Sequence, residues 1–236
     1  MNSVKETIVN RKDLYLGLMG SFFMMLGDLS LSLITPNDSD QGLLLRQAYF
    51  DGEYPAWKLV FLIITGVVGI FGYWYGLKSM HDSINEKYTK TRRCFKFVSM
   101  FFCFSGLAIH AGVGIGAYLT SSLAGEYGTD VATRFAEDYL SHVFTGFYPL
   151  YIPIAAIFMI HLFMLITGKT IYSRKMTLLA PVILMGIFGL IPDIRQNLGC
   201  HITTFDYVCS QCSGNAAPFI YYLMCLVLPD GFKLRK

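Results

Sequence analysis

The stretch Met24-Met25-Leu26-Gly27-Asp28-Leu29-Ser30-Leu31-Ser32-Leu33, MMLGDLSLSL, lies inside an apolar run over residues 14–35. In a soluble core helix Asp28 would simply cap a turn. Coiled at about 1.5 Å per residue, however, a run of this length crosses a bilayer core of about 30 Å. Asp28 is then a carboxylate inside the membrane, where it is costly alone and needs a partner.

The rest of the chain supports the bilayer reading. It is 54% hydrophobic with a mean hydropathy of +0.48, and 15% of its residues are charged, against about 25% in soluble domains. The charges fall between apolar blocks over 14–35, 57–77, 97–119, 143–167, 176–191 and 210–228. These predict an all-α polytopic membrane bundle of six transmembrane helices, forming a single integral domain over 1–236. In the last block the apolar part begins only at Ala216 and contains Pro218, so it reads as a full span starting near Cys209 or as a re-entrant segment.

Charge asymmetry orients the spans. The tails and the loops at 78–96 and 168–175 carry 15 Lys and Arg residues, including Lys5, Arg92, Arg93, Lys233, Arg235 and Lys236. The opposite loops carry 4: Arg46, Lys58, Arg134 and Arg195. The positive-inside rule places both termini in the cytoplasm and the protein in the plasma membrane. Arg92-Arg93 with Lys90 and Lys96 suits anionic headgroups, so membrane lipid is the implied partner. No basic stripe with interleaved aromatics is present, which excludes nucleic acid. The first run is too long for a signal peptide, and Thr35-Pro36-Asn37-Asp38 lacks a small-residue cleavage pattern. No loop is long enough for a soluble core, and no internal repeat is evident. A homo-oligomer stays open.

Two outer loops carry apolar residues. The one over 41–54, beginning at Gln41, holds Leu43-Leu44-Leu45 and Ala48-Tyr49-Phe50. The one over 127–140 spaces Val131, Phe135 and Tyr139 four apart, as in a helix lying on the membrane. Both read as interfacial packing or as lids. Gly69, Gly72 and Gly76 in the second span, and the Gly112/Gly116 small-xxx-small pair in the third, mark helix contacts.

Counting helical rise, Asp28 lies about 21 Å and His110 about 20 Å from the cytoplasmic start of their spans. A carboxylate and an imidazole at matching depth reduce each other's desolvation cost. Ser21, Asp28, Ser32 and Thr35 form one polar stripe on the first span, so a pocket there opens outward. His142 sits at the outer rim of span four and would extend the pocket. His161 is nineteen residues away on the same span and separate, and His81 falls in a cytoplasmic loop. The segment over 192–215 gathers Asp193, Arg195, Asn197 and His201 as candidate substrate-binding groups at the mouth. It also gathers Cys200, Cys209 and Cys212, of which one pair would form a stapling disulfide on the outer side. The Cys209-Ser-Gln-Cys212 CxxC alternatively suggests thiol exchange, and the cysteines with His201 a zinc site of irregular spacing.

Gly27-Asp28-Leu29, followed by a second span opening Trp57-Lys58-Leu59, resembles a group of uncharacterised bacterial multi-span proteins with a Gly-Asp-Leu near the end of the first span. That resemblance implies no activity. Membrane hydrolases of the alkaline ceramidase and adiponectin receptor family also hold zinc with His and Asp at membrane depth. They require an HxxxH on the last helix, and 216–228 has no histidine.

Three functions fit these residues. The first is an intramembrane enzyme on a lipid or amphipathic substrate, with Asp28, His110 and His142 as catalytic groups, or with a divalent metal if a third ligand joins. The second is a proton- or cation-coupled transporter using Asp28. The third is a scaffold whose Asp-His pair fixes helix register.

Overall fold

The computed structural model describes residues 10–40, 43–230 and 234. Gln41 and the tail charges Lys5, Lys233, Arg235 and Lys236 lie outside them. Among the described residues the chain is helical throughout, with only isolated β-bridges. Its elements are α1 (Arg11–Ser32), a short α2 (Gln47–Phe50), α3 (Ala56–Ser83), α4 (Thr89–Tyr127), α5 (Thr129–Asp138), α6 (Tyr148–Ile166), α7 (Pro181–Asn197) and α8 (Thr204–Val227). Five helical stretches among the described residues are long and apolar enough to cross a membrane: α1, α3, α4, the continuous run Thr129–Ile166, and Arg174–Asn197. Large apolar side chains such as Phe71, Phe104 and Ile152 cover the outside of the bundle, as in helices that face lipid rather than water.

Two sets of contacts define the ends of the bundle. At one end Lys78 on α3 binds Asp13 on α1 at 2.7 Å, and the Ile171 amide donates to the Ser83 carbonyl at 2.8 Å. A bridge between Tyr172 and Leu234 joins them there. At the other end His201 meets Asp38 at 2.9 Å, and the Tyr207 hydroxyl donates to Asp40. The first end is the basic one and the second the acidic one. α8, 24 residues long, therefore runs from the acidic end to the basic end, about 36 Å. Its polar first half keeps it outside the apolar group.

Several expected boundaries move. The 192–215 segment is not one loop. Its first part is the end of α7 and its last three turns are the start of α8, capped where Thr203 and Asp206 exchange hydrogen bonds. The 127–140 segment is not a separate interfacial helix either, because α5 runs on through a π-helical turn (Tyr139–Phe144) and a 3-10 turn (Thr145–Phe147) into α6. Pro149 and Pro153 lack the N–H groups that would continue the α-helical ladder, which gives the irregular turns a cause. The 43–54 loop is a packed cap: Leu44, Tyr49 and Tyr54 are fully buried.

The tightest crossing joins α1 and α3. A Cβ on Gly20 would stand 2.4 Å from the Tyr73 amide nitrogen, and one on Gly72 would stand 2.5 Å from the Gly20 Cα. The two backbones touch there, as small residues permit. The Gly112/Gly116 pair works differently. It receives side chains, Phe147 against Gly112 and Leu44 with Tyr139 against Gly116, and the Tyr139 hydroxyl donates to the Gly112 carbonyl at 2.8 Å.

Three of the four cations at the acidic end act on helix ends. Arg46, buried between Tyr49 and Tyr207, donates to the Leu31 carbonyl at 3.3 Å, and Lys58 donates to the Leu33 carbonyl at 3.0 Å. Both satisfy the open carbonyls at the C-terminus of α1 and complement its dipole. Arg195 pairs with Asp206 at 2.7 Å, the residue that caps α8.

Candidate functional site

Between the two apolar clusters of the interior lies a set of polar side chains from four helices. Asp28 Oδ1 on α1 stands 3.2 Å from His110 Nδ1 on α4. The other carboxylate oxygen accepts from Asn215 Nδ2 on α8 at 2.6 Å, and Asn215 Oδ1 accepts from the Tyr73 hydroxyl of α3 at 2.7 Å. The four groups form one chain: His110, Asp28, Asn215, Tyr73. Asp28 and His110 are both buried. A buried carboxyl that takes a hydrogen bond from an amide and has an imidazole beside it is the arrangement that offsets its desolvation.

Local sequence explains how each group arrives. Gly27 and Gly66 leave the space that the imidazole fills; a Cβ on Gly27 would come within 2.5 Å of His110 Nε2, and one on Gly66 within 2.7 Å of its Cδ2. Tyr73 rides on the Gly69/Gly72/Gly76 face that meets α1. Pro218 withholds the N–H that would bond the Gly214 carbonyl, and the Tyr73 hydroxyl lies 3.5 Å from that oxygen. The carbonyl left open in α8 and the neighbouring Asn215 thus form one polar junction. His110 Nε2 is buried and has no hydrogen-bond partner among the described residues.

The chain borders a cavity of about 300 Å³. Asp28, His110, Tyr73 and Asn215 form its polar side, and Phe102, Ile154, Phe158 and Met185 form an apolar body. Leu43 from the outer cap and Ser210 with Gln211 from the start of α8 line it toward the acidic end.

The other expected site residues do not join this cavity. Ser21 and Ser32 are buried, but their hydroxyls donate to the carbonyls of Gly17 and Asp28 on their own helix. His142 falls in the π-helical turn and is exposed, with Nδ1 at 2.8 Å from the Ser141 hydroxyl. Asp193 and Asn197 are exposed on the last turns of α7, Arg195 is held by Asp206 and His201 by Asp38. The expected disulfide is absent, because all six cysteines are free. Cys200 is exposed on the α7–α8 connection while Cys209 and Cys212 are buried in α8, which separates the first from the other two. Among the described residues no three His, Cys, Asp or Glu side chains converge in a way that would hold a metal ion.

Outside the helices, the Asp38 carboxyl sits below its usual range. The His201 hydrogen bond is the main cause, followed by the Ile202 amide at 3.2 Å. Asn215 and Tyr73 were missed in the sequence. The available signal was the polar run Ser210-Gln211-Cys212-Ser213-Gly214-Asn215, which makes sense inside a bundle only if something there receives it.

The chain belongs to a family of unknown function, DUF6796, whose profile matches residues 1–227. No curated protein and no solved structure matches it.

Proposed function

We propose that this is a six-span plasma-membrane protein with both termini cytoplasmic, in which α8 is the sixth crossing and the cavity opens outward. We read it as a proton-coupled carrier of small amphipathic cations. The observation that carries this reading is the buried Asp28–His110 pair at 3.2 Å on the wall of a largely apolar cavity. With a proton on the imidazole the pair is neutral overall. When that proton leaves, the carboxylate lacks a countercharge, and a cationic or hydrogen-bond-donating head in the cavity supplies it. Phe102, Phe158 and Tyr151 offer ring faces to such a ligand. One proton and one cation then compete for the same carboxylate, which is the requirement for exchange across a membrane.

The test uses proteoliposomes and ethidium, an aromatic monocation. An imposed proton gradient is expected to drive ethidium movement in the wild type and not in Asp28→Asn. Equal flux in both, or none in either, removes the carrier reading. A second reading, an intramembrane enzyme using the same pair as acid and base, is favoured by the contact between a carboxylate–imidazole pair and an amphipathic cavity. It predicts turnover of a fluorogenic lipid ester that His110→Gln abolishes. If neither activity appears while both variants stay folded, the pair serves to fix helix register.

A further inference from the structure

A second cavity lies on the outside of the bundle at its basic end, in the groove between α3 and α4. It has a volume of about 300 Å³ and is lined by Trp74, Leu77, Lys78, His81 and Lys96, among others. A wider cleft of about 420 Å³ continues from it, sharing His81 and Lys96 and adding Arg93, Arg92 and Glu86. The groove therefore changes character along its length. Its inner part is largely apolar in surface, with Trp74 and Leu77 on its wall, and its outer part is basic.

The charges in it are not all committed. Asp82 is already met by Lys78 at 2.9 Å, His81 at 2.8 Å and Arg92 at 3.6 Å. Glu86 lines the same cleft. Arg93 and Lys96 are exposed, and among the described residues neither has a carboxylate within ion-pair distance. An apolar slot that ends in two uncommitted cations at the edge of a membrane bundle has the shape and charge of one type of molecule. We propose that this groove holds an anionic phospholipid, its acyl chain along Trp74 and Leu77 and its phosphate between Lys96, Arg93 and His81. Charge complementarity selects the headgroup and the lipid-facing position of Trp74 supplies the chain.

Native mass spectrometry of the full chain in detergent, offered equal amounts of phosphatidylglycerol and phosphatidylcholine, tests this. The wild type is expected to retain phosphatidylglycerol preferentially. Each charge removed in Arg93→Gln and Lys96→Gln lowers that preference about fivefold, from roughly 1 kcal/mol per basic residue near an anionic surface. Trp74→Ala weakens retention of both lipids. Lys12→Gln, exposed at the start of α1 and outside both cavities, leaves the preference unchanged. These are surface positions, and an unchanged melting temperature confirms that each variant is folded. Equal retention of the two lipids by the wild type overturns the proposal. So does an equal loss in Lys12→Gln, which would mean diffuse charge. Displacement of the lipid by millimolar inorganic phosphate overturns it too, since that would make free phosphate the occupant.

Discussion

The bundle buries two histidines, and their surroundings differ in kind. His110 has a carboxylate at 3.2 Å, an amide and a phenol beyond it, and a cavity alongside. His161 is fully buried among rings, with Nε2 at 2.7 Å from the Tyr221 hydroxyl and Phe95 and Tyr221 edge-on around it. A proton added to His161 would place an uncompensated charge in an aromatic core, while a proton added to His110 completes an ion pair. Burial alone does not distinguish the two imidazoles. The neighbouring carboxylate does: a charge on one ring would have a partner at 3.2 Å, and a charge on the other would have none among the described residues.

The largest expected effect comes from removing that carboxylate. Asp28→Leu leaves His110 and Asn215 facing an apolar side chain and is expected to cost about 3–5 kcal/mol, measured by denaturant unfolding in detergent. A cost no greater than that of an exposed substitution such as Ser39→Ala would erase the distinction between the sites. Gly27→Ala disturbs the same pair without touching it. The new Cβ meets His110 Nε2 at 2.5 Å and the Thr65 hydroxyl at 2.8 Å, an overpacking expected to cost about 2 kcal/mol. It should also shift the His110 ring resonances in labelled-histidine NMR. Unmoved resonances would show that the imidazole is not wedged where the glycine face places it.

At the other histidine, His161→Phe keeps the ring volume and leaves the Tyr221 hydroxyl without its partner, for about 1 kcal/mol. The double variant with Tyr221→Phe should recover most of that loss, and proton-linked readouts should not change. A proton-linked defect in His161→Phe would make the two sites alike. The smallest effect belongs to the surface pair of Asp38 and His201. Because the folded state lowers the Asp38 carboxyl, its contribution is fully present above the ordinary carboxylate value of about 3.9 and is lost as pH falls through the lowered value. Acid unfolding of wild type and Asp38→Asn should therefore run together at low pH, with the wild type ahead only above it.

How much of this was legible in the sequence varies with the kind of signal. The apolar blocks and the Lys/Arg asymmetry imply helices that alternate between two ends, and the contacts Lys78–Asp13, Ile171–Ser83 and Asp38–His201 group the connections accordingly. The approach of Asp28 and His110 followed from equal depth on two spans that run in the same direction, a quantity that helical rise makes readable. Asn215 was hidden because depth counting starts from an apolar boundary, and α8 has none before Ala216. His142 was misplaced for a related reason: counting by regular rise and rotation fails across a π-helical turn, which adds a residue without adding a full turn. The pull of Asp206 on Arg195 and of Asp38 on His201 is tertiary, and no spacing rule announces it.

The N–H missing at Pro218 also bears on how the protein is made. α8 is the last of the described helices to leave the ribosome, and its first half, with Ser210, Gln211, Ser213 and Asn215, has little tendency to partition into lipid unaided. By then Asp28 has already been translated on α1, one of the two helices, with α7, against which α8 packs. The amide of Asn215 and the open carbonyl of Gly214 are satisfied only on arrival there, by Asp28 and Tyr73. The last of the described helices to be made thus brings the amide that completes a polar chain begun by Asp28 on the first.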